Sequence, residues 1–226
     1  MRERRRLGLT LLEGPNVVSE AIRAGVSFVE LFALPTDERL ADWPDPTLVE
    51  PQIMRRLAHT ETPRGPVAVA QIPPWTEPPT DRSVIYLSEV SDPGNVGTII
   101  RSAAAFGLSV ALSEGCADPW SPKAVRAAAG GHFLIPGLSR VASPTELRAH
   151  RRAALVVDGG VPPGALEEGP WVVIVGSEAH GLDPALVAEC DVQVTIPMPG
   201  GMESLNASVA ASILAYELSK GDSHPH

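Results

Sequence analysis

The chain has 226 residues, 44% of them hydrophobic and 20% charged, with a formal net charge of −9. This is the balance of a soluble globular protein with a sizeable core, in one large domain or two modest ones. No apolar run approaches the roughly 18 residues that cross a bilayer, which excludes a membrane span. The basic start, MRERRRLGLTLLEG, has neither a long apolar stretch nor a small-residue cleavage site and is not read as a signal peptide. Cys116 and Cys190 each stand alone, which argues against structural zinc and for a reducing cytoplasm. Overall acidity speaks against nucleic acid, yet residues 1–77 hold 9 basic and 11 acidic side chains against 9 and 16 in 78–226. An RNA contact would need a local basic patch, and Arg2, Arg4, Arg5 and Arg6 form the densest one.

In chain order, NVVSEAIRAG has helical spacing and stops at Gly25, a good C-cap. SFVELFAL reads as a buried strand, and TPRGPVAVAQI supplies another. IPPWTEPPTDR, at 72–82, carries four prolines in eleven positions and predicts an extended, semi-rigid linker. The expected organisation is a small α/β unit at 1–74, a proline-rich linker at 75–82, and a larger unit at 83–226. In the larger unit, SVIYLSEV, LSVALSEG, AALVVDGG, WVVIVGSE and DVQVTIPM read as strands. NVGTIIRSAAAFG, SPKAVRAAAGG, SPTELRAHRR, DPALVAEC and SLNASVAASILAYELSKG read as helices between and after them. Continuous apolar strands alternating with helices predict an α/β fold with a parallel sheet covered on both faces. Ligands in such sheets bind at loops leaving the carboxyl ends of the strands. The tail, GDSHPH, is expected to fray.

Three of those loops carry unusual chemistry. In SDPGNVGTIIRSAAAFG, Asn95 is placed either to cap the following helix or to serve a site. Arg101, on a small and apolar helix, suits bidentate binding of phosphate or carboxylate. In WVVIVGSEAHGL, Gly176 permits close backbone approach to a ligand. Glu178 is either a helix-start carboxylate or a site residue. His180 lacks the paired ligands of a metal site and reads as structural. In IPMPGGMESLNASVA, Ser204 reads as the N-cap of the last helix, whereas Asn206 is an odd choice inside a first turn. No G-x-G-x-x-G follows a strand, GGVPPGA lacks the Lys-Ser/Thr of a P-loop, and no G-x-S-x-G occurs.

Taken together, N-x-G-x-x-x-R at 95–101, G-x-E-x-x-G at 176–181 and IPMPGGMESLNASVA from Ile196 resemble the three motifs of the SpoU (TrmH-like) RNA 2′-O-ribose methyltransferases, of the SPOUT class. The likeness spans the second unit. More loosely, LLEGPNVVSEAI and TETPRGPVAVA resemble the ribosomal-protein-L30-like substrate-binding domain that often precedes this one. The resemblance implies a parallel-sheet SPOUT domain with a C-terminal trefoil knot, working as a homodimer through the terminal helix. It implies S-adenosyl-L-methionine as cofactor, no metal, and RNA as substrate, ribosomal RNA ahead of transfer RNA. Asn95, Arg101, Glu178, Ser204 and Asn206 would be the catalytic set, and Gly176, Ile196, Met198 and Leu205 with their neighbours would line the cofactor pocket. A neutral guanidine at pH 7 costs about 7 kcal/mol, so Arg101 is better suited to hold phosphate and stabilise an alkoxide than to act as a base. AAAGGHFLIP departs from the family, whose members often carry an arginine near that phenylalanine, and puts one RNA contact in doubt. A non-catalytic RNA-binding module on the same fold and a Rossmann-type nucleotide enzyme are the rival readings.

Overall fold

The computed structural model describes residues 6–59, 65–147 and 151–220. Among these residues the chain forms a four-stranded and a six-stranded sheet. Arg2, Arg4, Arg5, the tail and part of TETPRGPVAVA lie outside the described residues.

The first sheet holds β1 (Leu9–Glu13), β2 (Phe28–Ala33), β3 (Thr47–Leu48) and β4 (Val67–Gln71), in the order β1-β4-β2-β3. Central β4 runs antiparallel to both β1 and β2. Helix α1 (Pro15–Arg23) starts with proline in its first turn and ends before Gly25, whose φ of 69° suits glycine. A short helix, α2 (Pro51–Leu57), buries Met54. β2 is only half buried, with Val29 53% exposed, so the expected buried strand is a one-faced one. β1 was not legible as a strand beforehand.

The second sheet is parallel throughout and contains β5 (Val84–Leu87), β6 (Ser109–Leu112), β7 (Leu138–Arg140), β8 (Arg151–Leu155), β9 (Trp171–Val175) and β10 (Val192–Val194). Its order is β10-β8-β9-β5-β6-β7. The chain builds outward from β5 to β7, then crosses back to β8 and inserts β9 between β8 and β5. Alternation sorts the side chains into two cores. Ile85, Leu87, Val110, Leu112, Val173 and Val175 face α3 (Pro93–Phe106), α4 (Pro122–Ala128) and α6 (Ala207–Ser219). Val84, Tyr86, Ala111, Val172 and Ile174 face the other way, toward Leu147 and the short α5 (Pro184–Ala188). Every residue of β5, β6 and β9 is buried, as a sheet covered on both faces requires.

Two expected elements differ. SPTELRAHRR is a single 3-10 turn, Pro144–Glu146, despite a complete capping box at Ser143 and Glu146, and residues 148–150 lie outside the description. Arg151 and Arg152 are drawn into β8, so sheet pairing overrides local helical preference. The proline-rich segment forms no helix or strand, and it is tied down. Thr76 donates its N–H to the Leu138 carbonyl at 2.8 Å, and its Oγ1 accepts the Leu138 N–H at 3.0 Å. It thereby covers β7, an edge strand. The two sheets share one apolar core, and α4 packs on β1 while Thr10 Oγ1 donates to the Trp120 carbonyl at 3.0 Å.

Candidate active site

Helix α3 delivers the first polar group. Asp92, not Asn95, is its N-cap. The Asp92 carboxylate accepts the Asn95 N–H at 3.0 Å, and Pro93 occupies the first helical position, where its missing N–H costs nothing. Lys123 on α4 donates to the other Asp92 oxygen at 2.7 Å. That ammonium, followed by the backbone N–H groups of Asn95 and Gly94, holds the Asp92 carboxyl below the usual carboxylate range. Asn95 therefore spends no side-chain atom on capping.

Helix α6 begins at Ala207, two residues later than an N-cap at Ser204 would have it. Asn206 is the N-cap: its Oδ1 accepts from the Ser208 N–H at 2.9 Å, the Ser208 hydroxyl at 2.7 Å and the Val209 N–H at 3.4 Å. The residue that looked misplaced in a first turn sits where asparagine is favoured. Ser204 lies in the preceding loop and is exposed.

These elements converge. The Asn95 amide donates to Glu178 Oε1, and Asn206 Nδ2 donates to Asn95 Oδ1 at 3.1 Å. Glu178, Asn95 and Asn206 thus form a chain across the three motif loops, with Glu178 as the terminal acceptor. Each amide is fixed at both ends, so its orientation is set before any ligand arrives.

The chain lies at the rim of a cleft of about 480 Å3 at the carboxyl ends of β8, β9 and β10. Gly176, Glu178, Ile196, Met198, Ser204, Leu205 and Asn206 all line it, with Leu155 and Val157 from the β8 end. A Cβ on Gly176 would overlap the Gly181 carbonyl, because 177–181 folds back on itself through a Ser177–Gly181 bridge. That glycine is demanded by its own loop, a constraint beside the ligand's approach expected from the sequence. His180, whose N–H meets Ser177 Oγ at 3.3 Å, belongs to the same turn. The β8–β9 loop crosses the end of β10: Val161 N–H reaches Gln193 O and Thr195 N–H reaches Val161 O, both at 2.9 Å. Arg101 is exposed on α3 and does not line the cleft, and neither does Asn95, which reaches it only through its partners. Among the described residues no group of three or more His, Cys, Asp or Glu side chains is arranged to hold a metal.

Comparison with known proteins identifies the family. The model of the SpoU rRNA Methylase family matches residues 82–216. A Bacillus subtilis protein named 23S rRNA (guanosine(2553)-2′-O)-methyltransferase RlmP is 33% identical over 228 residues, covering 96% of this chain and 91% of that one. The SpoU methyltransferase AviRb from Streptomyces viridochromogenes, solved in complex with AdoMet, superposes with a TM-score of 0.80 at 27% identity, over 97% of this chain and 92% of its own. An AdoMet-bound rRNA methyltransferase from Sinorhizobium meliloti gives 0.83 at 26% identity, over 97% and 90%. The chain belongs to the SpoU rRNA methylase family.

Proposed function

We propose that the chain methylates a ribose 2′-hydroxyl in structured RNA, ribosomal RNA ahead of transfer RNA, using S-adenosyl-L-methionine. The observation that carries this reading is the Glu178–Asn95–Asn206 chain at the rim of the cleft. The cleft suits the cofactor. Its size falls within the range of small-molecule sites, its walls combine apolar side chains and loop backbone with Ser177, Ser204 and Asn206, and among the described residues Glu178 is the one charged side chain in its lining. A neutral adenine and a cationic sulfonium are compatible with such walls. Backbone around Gly176, Ile196 and Leu205, with the Met198 side chain, would hold it. When bound, it supplies an electrophilic methyl group.

The chain's own residues then position the acceptor. Asn95 and Asn206 are already oriented by their mutual hydrogen bond and by Glu178, and with Ser204 they present polar groups to a ribose. Arg101 is assigned to the phosphate beside the reacting sugar, where its fixed charge also stabilises the developing alkoxide. The exposed Val209 and Tyr216 on α6, 47% and 50% accessible, support a homodimer through that helix. The crossing of the β8–β9 loop over β10 supports a trefoil knot. The first sheet is assigned an RNA-binding role as an L30-like domain (residues 1–74), joined through 75–82 to the catalytic 83–226, and the protein a cytoplasmic one. The test is incubation of the full chain with methyl-labelled S-adenosylmethionine and 23S rRNA. Label in an alkali-resistant dinucleotide is expected. Label only on a base, or saturable cofactor binding with no transfer to ribosomal or transfer RNA, would overturn the reading, the latter in favour of a non-catalytic module.

A further inference from the structure

A second cleft, of about 410 Å3, opens where the two sheets meet, 57 residues of sequence separating two of its aromatic walls, Trp75 and His132. Trp75 comes from the proline-rich segment and is 47% exposed. Trp120 is buried, its ring 4.5 Å from the His132 imidazole and 5.8 Å from Phe133. His132 is itself anchored, Nε2 lying 2.8 Å from the Pro119 carbonyl. The Trp75 backbone is restrained too, because its neighbour Thr76 is bonded twice to Leu138. Arg140, on β7, holds its guanidinium 5.5 Å from the Trp75 ring centroid. Ser27 and exposed Gln71 supply neutral polar groups at the walls.

We propose that this cleft takes one unpaired base of the RNA, stacked on Trp75, with Arg140 against the neighbouring phosphate. The inference rests on the RNA substrate proposed above. Three features favour a base over another occupant. An accessible indole held on a restrained backbone suits a flat ring, and single-stranded bases bind proteins chiefly by such stacking. The cation beside it complements a phosphodiester and not an apolar peptide or acyl chain. A chain of net charge −9 gains little from general attraction to phosphate, so stacking must supply affinity that charge does not.

The experiment is steady-state methylation by the full chain and its Trp75→Ala and Trp75→Phe variants, on substrate RNA scanned with abasic nucleotides. Trp75→Ala should raise KM for RNA about tenfold, the scale of one lost stack, and leave kcat and cofactor affinity within twofold. Trp75→Phe should keep KM within threefold. One abasic position away from the methylated nucleotide should raise the parent's KM by the same factor and that of Trp75→Ala no further. A parent-like KM for Trp75→Ala, or additive effects at every abasic position, would overturn the proposal. Binding of a ten-nucleotide oligoadenylate, followed by tryptophan fluorescence, tests the site without turnover. Quenching should be present in the parent and absent in Trp75→Ala, and equal quenching in both refutes it. Quenching that depends on Trp75 in a protein that methylates no RNA would sink the proposed activity and leave the base site standing.

Discussion

The rim of the cofactor-sized cleft and the junction between α3, α4 and the first sheet are built on opposite plans. At the rim, Asn95, Glu178 and Asn206 are polar, at least partly exposed and bonded to one another across three loops. At the junction, contacts are apolar and close enough that backbone touches backbone. A Cβ on Gly97 would overlap the Ala124 carbonyl and lie 2.7 Å from Ala127 Cβ. Nearby His132 is buried, 7% accessible, its Nδ1 without a hydrogen-bond partner among the described residues. Linked polar groups are concentrated where packing is sparse, and close apolar contacts where no group is free to react. Substitutions at the rim should move rate without stability, Asn206 excepted because it also caps α6, and those at the junction should do the reverse.

The largest effect is expected at Arg101. If it holds phosphate and stabilises an alkoxide, Arg101→Ala should lower kcat by 10²–10³, about 3–4 kcal/mol, with cofactor affinity and melting temperature unchanged. Arg101→Lys should recover little, since an ammonium lacks the planar fork. A rate within threefold of the parent would remove Arg101 from the site, because an ordinary surface change is worth under about 0.5 kcal/mol.

Acid should expose the junction next. Burial pushes the His132 imidazole down to about 4, from an ordinary value near 6.5. Between those values the unfolded chain binds a proton that the folded one refuses, so stability present above about pH 6.5 is lost as the pH falls toward 4. The loss approaches about 3 kcal/mol at 1.36 kcal/mol per unit. Denaturation of the parent and of His132→Phe at pH 7 and pH 4 should show the parent losing more on acidification by about that amount. Equal losses would mean that His132 titrates normally.

Much of this division could be read in the residues, and the failures share a cause. The strand-end loops and the parallel sheet follow from apolar runs meeting polar motifs, whereas the grouping of Asn95, Glu178 and Asn206 came only with the resemblance to the SpoU family. The Ser204 cap is a misassignment and the choice at Asn95 stayed open, since Asp92 and Asn206 accept the first-turn N–H groups. Which of two adjacent capping residues acts depends on where the backbone turns, and only Pro93 marked that point in advance. Short strands such as β7 form because a neighbouring strand and Thr76 pair with them, a condition outside their own three residues. The aromatic cleft was illegible for the same reason, its walls meeting only after the sheets dock.

Gly97 gives a smaller effect of the junction kind. Gly97→Ala forces a methyl group into the α3–α4 crossing, where the obstacle is backbone and cannot rotate away. Overpacking of this sort costs about 1–3 kcal/mol. For a chain of this size that lowers the melting temperature by roughly 2–12 °C at about 2–4 °C per kcal/mol. Activity per folded molecule well below the variant's melting temperature should stay within about threefold, provided α3 shifts as a body. A variant that melts like the parent would show that the crossing has slack.

The smallest effect tests the rim most directly. Glu178→Gln preserves shape and an acceptor oxygen but removes the charge that Asn95 faces. Hydrogen bonds to ionised acceptors are about twice as strong as neutral ones, so the amide of Asn95 would be held less firmly, and through it the Asn206 side chain. Asn206 still caps α6 through Oδ1, so the helix and the melting temperature should be unaffected, within about 1 °C. Turnover should fall about tenfold, which is about 1.4 kcal/mol in the barrier. The split between kcat and cofactor affinity says which property of Glu178 matters. If it orients the amides, kcat falls alone. If its charge also steadies the sulfonium, cofactor affinity falls with it. Parent-level turnover in Glu178→Gln would show that hydrogen-bond geometry suffices, and a drop of several degrees in melting temperature would place Glu178 with the junction's residues instead.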